Sequence, residues 1–201
     1  MGSWPGSEAG AASVDARRQG ELLVPCIEKV LAEAGADRRG LTAVVAGAGP
    51  GPYTGLRIGL VTARVLASAL GIPAYGWCTL DVIAADAVAA AAGRPFLVAT
   101  DARRHEVYWA RYSATGERLS GPGVAAPASL PGQLPTAGEG PARYPGLLAN
   151  PIGPRYPAAA TLADLAARRL AAGAPLPPPE PLYLRRPDAR APGPPKRVTP
   201  A

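Results

Sequence analysis

The stretch "GAGPGPYTGLRIGLVTARVLASALGIP", residues 47–73, places four glycines and two prolines between a short apolar run and a long apolar segment. A buried run, a glycine-rich turn and apolar residues at helical spacing are typical of a strand that leads into a helix. The sequence predicts a strand over 41–49 and a helix over 55–70. A second strand follows over 73–78, and this alternation indicates an α/β unit with a parallel portion of sheet.

The glycine-rich turn does not match the common phosphate-binding motifs. A Walker loop requires G-x-x-x-x-G-K-[ST], and no lysine follows any glycine of this turn. The dinucleotide motif G-x-G-x-x-G also fails, because Thr54 follows Gly49 and Gly51 where a third glycine is required. A phosphate site remains open only through backbone donors at the start of the helix.

Residues 55–70 carry small side chains at every fourth position, namely Gly55, Gly59, Ala63 and Ala67. Such a ridge lets another backbone approach closely, and the other positions are so apolar that the helix needs cover on more than one side. Neighbouring helices of the same chain are one source of that cover. The alternative is a protein partner that contacts this helix and the apolar stripe of a preceding helix over 16–34. Arg57 and Arg64 are then either solvated or paired with partner carboxylates.

The rest of the chain divides by its proline content, since nineteen of the 25 prolines follow residue 120. Residues 1–93 form a first α/β lobe that ends in a helix over 79–93. Residues 94–173 form a second α/β lobe that opens with a β-hairpin and ends in a helix stopped by Gly173. Residues 174–201 are a proline-rich, basic tail that cannot hold a helix.

Charge and hydropathy limit the classes of function. Residues 185–201 contain five of the 21 basic residues and one of the 15 acidic residues, so the remaining 184 residues are nearly neutral. A basic tail attracts phosphate without specificity, which leaves an RNA-binding module as an alternative function. No long apolar segment or signal peptide is visible, which favours a cytoplasmic protein with no membrane partner.

The sequence offers no convincing catalytic or metal site. His105 is the one histidine and falls in a predicted hairpin turn, where a solvated loop role is expected. Nothing in the sequence brings Asp81, Asp101 and Glu106 together as paired carboxylates, so turn roles are expected for them. Cys26 and Cys78 match no metal-binding spacing and are predicted to be reduced thiols in the core.

Five ordered segments together resemble the bacterial tRNA threonylcarbamoyladenosine biosynthesis protein TsaB (YeaZ) family. They are the stretch 47–73, "DARRQGELLVPCIEKVLAEAG" before it, and "TDARRHEVYWARY", "AGEGPARY" and "EPLYLRRPDA" with "PKRVTP" after it. The resemblance covers roughly residues 13–200, and the tail is similar to that of actinobacterial members. It implies an actin-like, ribonuclease-H-type fold in two lobes.

The resemblance also implies a non-catalytic scaffold. Members bind and activate TsaD, the enzyme that transfers a threonylcarbamoyl group to the adenosine beside the anticodon of ANN-decoding tRNAs. The ATPase TsaE completes the assembly, tRNA is contacted indirectly, no cofactor is bound by the chain alone, and homodimers use the same surface. The expected interface residues are Leu23, Ile27, Val30, Leu31, Gly55, Leu56, Gly59, Val61, Thr62, Ala63, Val65 and Leu66.

The chain departs from its family at the amino terminus. Members begin with a strand carrying an Asp-Thr-type start and a hairpin partner, whereas only a short polar segment precedes residue 15 here. The first lobe is therefore expected to be incomplete, either because the start codon lies upstream or because the chain is truncated. Since actin-like folds commonly bind ATP between the lobes, a nucleotide-dependent kinase or ATPase is the alternative function.

Overall fold

A computed structural model describes residues 9–12 and 18–185 of the chain. The helices within this part are α1 (Gln19–Glu33), α2 (Tyr53–Leu70), α3 (Thr79–Ala87), α4 (Gly140–Arg143) and α5 (Ala159–Ala171). The strands are β1 (Val44–Gly49), β2 (Ala74–Cys78), β3 (Phe96–Asp101), β4 (Val107–Tyr112), β5 (Arg118–Ala125), β6 (Pro135–Ala137) and β7 (Asn150–Pro151). Most of the predicted basic tail lies outside the described residues.

The first lobe is built on the strand–helix–strand unit that the glycine-rich stretch predicts. β1 and β2 pair in parallel, with Val44 opposite Ala74, and form a two-stranded sheet. The connection between them is α2, which ends at Gly71 because that glycine adopts a left-handed conformation with φ 66°. The predicted strands and helix of this unit are confirmed.

The second lobe contains a five-stranded sheet with the order β5-β4-β3-β6-β7. β3 and β4 form the predicted antiparallel hairpin, and β5 continues it as a third antiparallel strand. β6 pairs in parallel with β3, and β7 pairs in parallel with β6. This mixed order is the ribonuclease-H-type arrangement that the resemblance implies, and the first lobe repeats only its parallel half within the described residues.

The main core lies between α3 and the second sheet. Leu80 and Ile83 of α3 are fully buried there with Phe96 and Val98 of β3. The Phe96 and Tyr112 rings stack with their centroids 5.5 Å apart. α3 ends at Ala87, earlier than the predicted residue 93, and the alanine-rich residues 88–93 form turns.

α5 and the segment that follows it return to the first lobe. α5 contacts both α3 and β1, and it ends before Gly173, which has a φ of 67°. Residues 174–185 then run without regular secondary structure, as their proline content predicts. We call residues 177–185 the strap, because they contact both lobes. The bounds predicted for the two lobes remain a prediction.

Candidate protein-interaction surface

α2 packs on the first sheet through one stripe of its surface. The buried residues of this stripe are Leu56, Leu60, Ala63 and Ala67. Alanine at two of these positions lets the helix axis lie close to β1, and the leucines fill the space beside it. One face of α2 is therefore covered by its own chain.

The opposite face of α2 is apolar and open. Val61 and Val65 are 58% and 63% exposed, and Ile58 beside them is only partly buried. Exposed branched aliphatic side chains one helical turn apart form a continuous apolar strip. A strip of this kind is typical of a surface that another protein covers.

α1 extends this open surface. It has 15 residues and none of them is buried, although Leu23, Ile27, Val30 and Leu31 form an apolar stripe along it. α1 lies against the start of α2. A Cβ atom built on Gly20 of α1 would lie 3.7 Å from Ile58 Cδ1 of α2. The residues of this stripe are half-buried in the free chain, so α1 leaves part of its apolar surface in contact with water.

Two of the predicted interface residues are buried in the free chain. Leu56 and Ala63 are 9% and 5% exposed and face β1, so in the free chain they support the surface from beneath. The small-residue ridge is likewise divided between two sides of the helix. Ala63 and Ala67 face the sheet, and the Gln19 side chain covers Gly55.

Gly59 is the member of the ridge that stays open. A Cβ atom built on it meets no heavy atom within 4 Å. Val61 and Val65 are exposed, and the other predicted interface residues of α1 and α2 are half-buried, namely Leu23, Ile27, Val30, Leu31, Gly55, Gly59, Thr62 and Leu66. We call this set the α1/α2 surface, and its role as an interface remains a prediction.

The glycine-rich turn is packed against the strap. Gly49 has a φ of 99°, and a Cβ atom there would lie 3.2 Å from Leu56 Cδ2 and 3.4 Å from the carbonyl oxygen of Leu182. Glycine is therefore required for both the conformation and the close approach. At the start of α2, the Tyr53 and Tyr183 rings lie with centroids 5.3 Å apart.

Arg57 is held by the same aromatic pair. Its Nε donates to the Tyr183 hydroxyl at 3.1 Å, and its guanidinium lies 4.0 Å from the Tyr53 ring centroid. This hydrogen bond raises the pKa of Arg57, which stays charged in any case. Arg57 is thus bound to its own chain rather than simply solvated. The sequence could not indicate this, because Tyr183 lies 126 residues away.

Asp101 and Glu106 flank the β3–β4 turn, where each pairs with a different arginine, whereas Asp81 lies on α3. Asp101 pairs with Arg143 Nη2 at 3.3 Å, and Glu106 pairs with Arg185. Asp81 accepts a hydrogen bond from Tyr112 at the far end of β4, whereas Asp101 lies opposite Val107 at its start. Val107 and Tyr112 are five residue steps apart along β4, which is roughly 17 Å and too far for Asp81 and Asp101 to act as an acid–base pair.

The histidine and the two cysteines occupy separate elements of the fold. His105 is exposed in the β3–β4 turn with a φ of 59°, in agreement with a loop role. Across residues 9–12 and 18–185, no three His, Cys, Asp or Glu side chains are grouped so that they could hold a metal ion. Cys26 and Cys78 are both free, but both are only partly buried, so the predicted core placement is wrong. Burial raises the pKa of the Cys78 thiol, which keeps it protonated.

A polar cluster that the sequence did not reveal lies between α3 and the second sheet. The Tyr112 hydroxyl donates to Asp81 Oδ1 at 2.7 Å, and Arg118 Nη1 lies 3.4 Å from the same oxygen. Burial, followed by the charge of Asp81, raises the pKa of Tyr112. The cluster borders an open cavity of about 460 Å³ that Trp77 and Leu165 also line. The inward position of Tyr112 in the β4 alternation was the available signal.

A second cavity lies beside β1. It has a volume of about 480 Å³ and is lined by Val45, Tyr75 and small residues of α5.

Within the described part of the chain, no helix combines the length and hydrophobicity needed to cross a bilayer.

Two α/β lobes, one of them with the strand order β5-β4-β3-β6-β7, define an actin-like protein of the ribonuclease-H type. The family model described as TsaD, tRNA N6-adenosine threonylcarbamoyltransferase, matches residues 13–144. The chain belongs to this family.

Comparison with solved structures and curated proteins confirms the resemblance to TsaB. YeaZ from Pseudomonas aeruginosa superposes with a TM-score of 0.73 and 27% identity over 86% of this chain and 87% of that one. TsaB of Escherichia coli is 35% identical over 96 residues, which are 48% of this chain and 42% of that protein. An uncharacterized protein of Mycobacterium tuberculosis is 44% identical over 179 residues, 89% of this chain and 80% of its own length.

Proposed function

We propose that this chain is a TsaB-like, non-catalytic subunit in the biosynthesis of threonylcarbamoyladenosine in tRNA. In this proposal it binds a TsaD-like transferase through the α1/α2 surface and supports the active conformation of that enzyme. The observation that carries the proposal is the open apolar face formed by Val61 and Val65 together with a helix that has no buried residue. Similarity to TsaB and YeaZ supplies the biological process.

The contacts of the candidate carboxylates and of Cys78 support the non-catalytic part of the proposal. The carboxylates nearest to a candidate role are engaged by arginines or by Tyr112, and the Cys78 thiol is held protonated. The chain then needs no cofactor of its own. A TsaE-like ATPase would join the assembly, and this chain would contact tRNA only indirectly. Homodimers of the chain would use the same α1/α2 surface. The complex would work in the cytoplasm.

The proposal is tested by mixing the purified chain with the TsaD-like transferase of the same organism. We expect one stable complex in size-exclusion chromatography and faster transfer of the threonylcarbamoyl group than the transferase achieves alone. Calorimetry of the isolated chain with ATP and magnesium addresses the kinase or ATPase alternative. Tight ATP binding by the chain alone, or a transferase that is indifferent to it, would contradict the proposal.

Truncating Val65 to alanine is expected to weaken transferase binding about fivefold to tenfold. The change removes methyl groups that the complex would take out of water, and their burial contributes roughly 1 kcal/mol. A loss of about this size corresponds to a roughly fivefold to tenfold weaker affinity. Titration calorimetry measures the dissociation constant. The matched control is Leu119→Ala on β5, which is 53% exposed but distant from α1 and α2, and its affinity should equal that of the wild type. Equal weakening in both variants would contradict the placement of the interface.

A further inference from the structure

The strap is attached to the first lobe at three levels. The Gly76 N–H of β2 donates to the Pro177 carbonyl at 2.9 Å, and the Leu182 N–H donates to the Ala48 carbonyl of β1 at 2.8 Å. Gly76 makes the first contact possible, because a Cβ atom there would lie 2.8 Å from the Pro178 carbonyl oxygen. The strap therefore passes along β2 and closes over the carboxyl end of β1.

The third attachment is to the first turn of α2. Tyr183 accepts the hydrogen bond from Arg57 and packs its ring against Tyr53. Tyr53 and Tyr183 are 43% and 42% exposed, so the pair lies at the surface beside the start of the α1/α2 surface. The strap thus fixes the side chains at one end of the proposed partner site.

Two residues further along, the strap is attached to the second lobe. Arg185 Nη1 donates to the Ala102 carbonyl at 2.8 Å, and the same guanidinium pairs with Glu106. These two residues flank the β3–β4 turn, in which Arg103, Arg104 and His105 all have positive φ. Three successive non-glycine residues in this unfavourable conformation depend on the contacts that surround them.

We propose that the strap is a clasp that couples the partner-binding end of α2 to the β3–β4 turn of the second lobe. Only one residue separates Tyr183 from Arg185, and both side chains are hydrogen-bonded to other parts of the chain. A displacement of Tyr183 therefore displaces Arg185 as well. Binding at the α1/α2 surface would then alter the conformation of the 102–106 turn. The clasp itself is a property of the free chain, and only the identity of the partner rests on the proposed function.

Hydrogen exchange of the full chain, without any partner, tests this coupling. Arg185→Ala removes the contacts to Ala102 and Glu106 and should accelerate exchange of amides 102–106 about tenfold. It should also accelerate amides 48–57 roughly threefold, because the strap is then held at one end only. Tyr183→Ala should produce the reciprocal pattern, with acceleration at 102–106 although this residue does not touch the turn.

The matched control is Arg155→Ala, which removes an exposed arginine whose guanidinium lies 5.3 Å from the Tyr156 ring centroid. Its exchange pattern at 48–57 and 102–106 should equal that of the wild type. Effects confined to the end that carries each substitution would overturn the proposal. If a variant also accelerates the core strand β3, Tyr183→Phe decides: it keeps the ring, loses the acceptor for Arg57, and must still accelerate 102–106.

Discussion

Gly59→Leu is expected to weaken transferase binding about a hundredfold while the free chain stays as stable as the wild type. A Cβ atom built on Gly59 meets no heavy atom within 4 Å, so a side chain can start from this position in the free chain without a clash. In a complex that brings another helix onto this position, the same side chain prevents close approach. Overpacking of this kind costs about 1–3 kcal/mol, and a hundredfold loss corresponds to about 2.7 kcal/mol.

Stability of the Gly59→Leu variant is measured by urea unfolding, and affinity by calorimetry. Leucine is a better helix former than glycine by roughly 0.8 kcal/mol, so the midpoint of unfolding should not fall. The matched control is Ala160→Leu, which adds bulk to an exposed position in the first turn of α5, far from the surface in question. Wild-type affinity of Gly59→Leu would refute the proposed mode of binding, since a small residue would then have no role at that position.

Local elements of this fold could be predicted from the sequence because their signals are local. The strand before Gly49 and the helix after it follow from apolar spacing and from glycine and proline at the turn. The β3–β4 hairpin follows from alternation, which places Tyr112 on the inner face and Arg111 on the outer one.

The side that each small residue of α2 faces could not be predicted. A ridge of glycine and alanine suits either a sheet of the same chain or a helix of another, because both need close approach. Long-range packing of Leu56 and Leu60 on β1 decides the matter by turning Ala63 inward and leaving Gly59 outside. This orientation explains why Leu56 and Ala63 are buried beneath the predicted interface while Gly59 is not.

The position of the strap is a second feature that local signals do not contain. Prolines near 177 predict an extended segment but not its path. Its path is determined by pairs such as Arg185 with Ala102, which are 83 residues apart in the chain. The same holds for the bond between Tyr112 and Asp81, 31 residues apart, although both residues are placed on predictable elements.

Tyr112→Phe is expected to lower the free energy of unfolding by about 2 kcal/mol at neutral pH. The change removes the hydrogen bond that the Tyr112 hydroxyl donates to the Asp81 carboxylate, and Tyr112 is only 1% exposed to solvent. Charge-assisted bonds of this kind contribute roughly 1.5–3 kcal/mol. The ring remains stacked on Phe96, so no cavity is formed. Urea unfolding of the two proteins at pH 7 measures the difference.

The same pair should converge at alkaline pH. Burial and the charge of Asp81 raise the pKa of Tyr112 in the folded chain, whereas in the unfolded chain a tyrosine titrates near pH 10. Above about pH 10 the unfolded wild type therefore binds fewer protons than the folded one, and its stability falls by about 1.4 kcal/mol per pH unit relative to Tyr112→Phe. An advantage of about 2 kcal/mol is then lost about 1.5 units above pH 10.

Tyr156→Phe provides the matched control for this effect. Tyr156 also donates to a carboxylate, at 3.2 Å from Glu139 Oε1, but its side chain is 38% exposed. Water replaces an exposed bond at little cost, so the variant should unfold like the wild type at neutral pH. The other groups that titrate in this range are common to the wild type and Tyr112→Phe and cancel in their difference. A difference between those two proteins that stays constant from pH 7 to about pH 11.5 would show that the unfolded chain keeps the Tyr112 proton as firmly as the folded one, which burial beside Asp81 excludes.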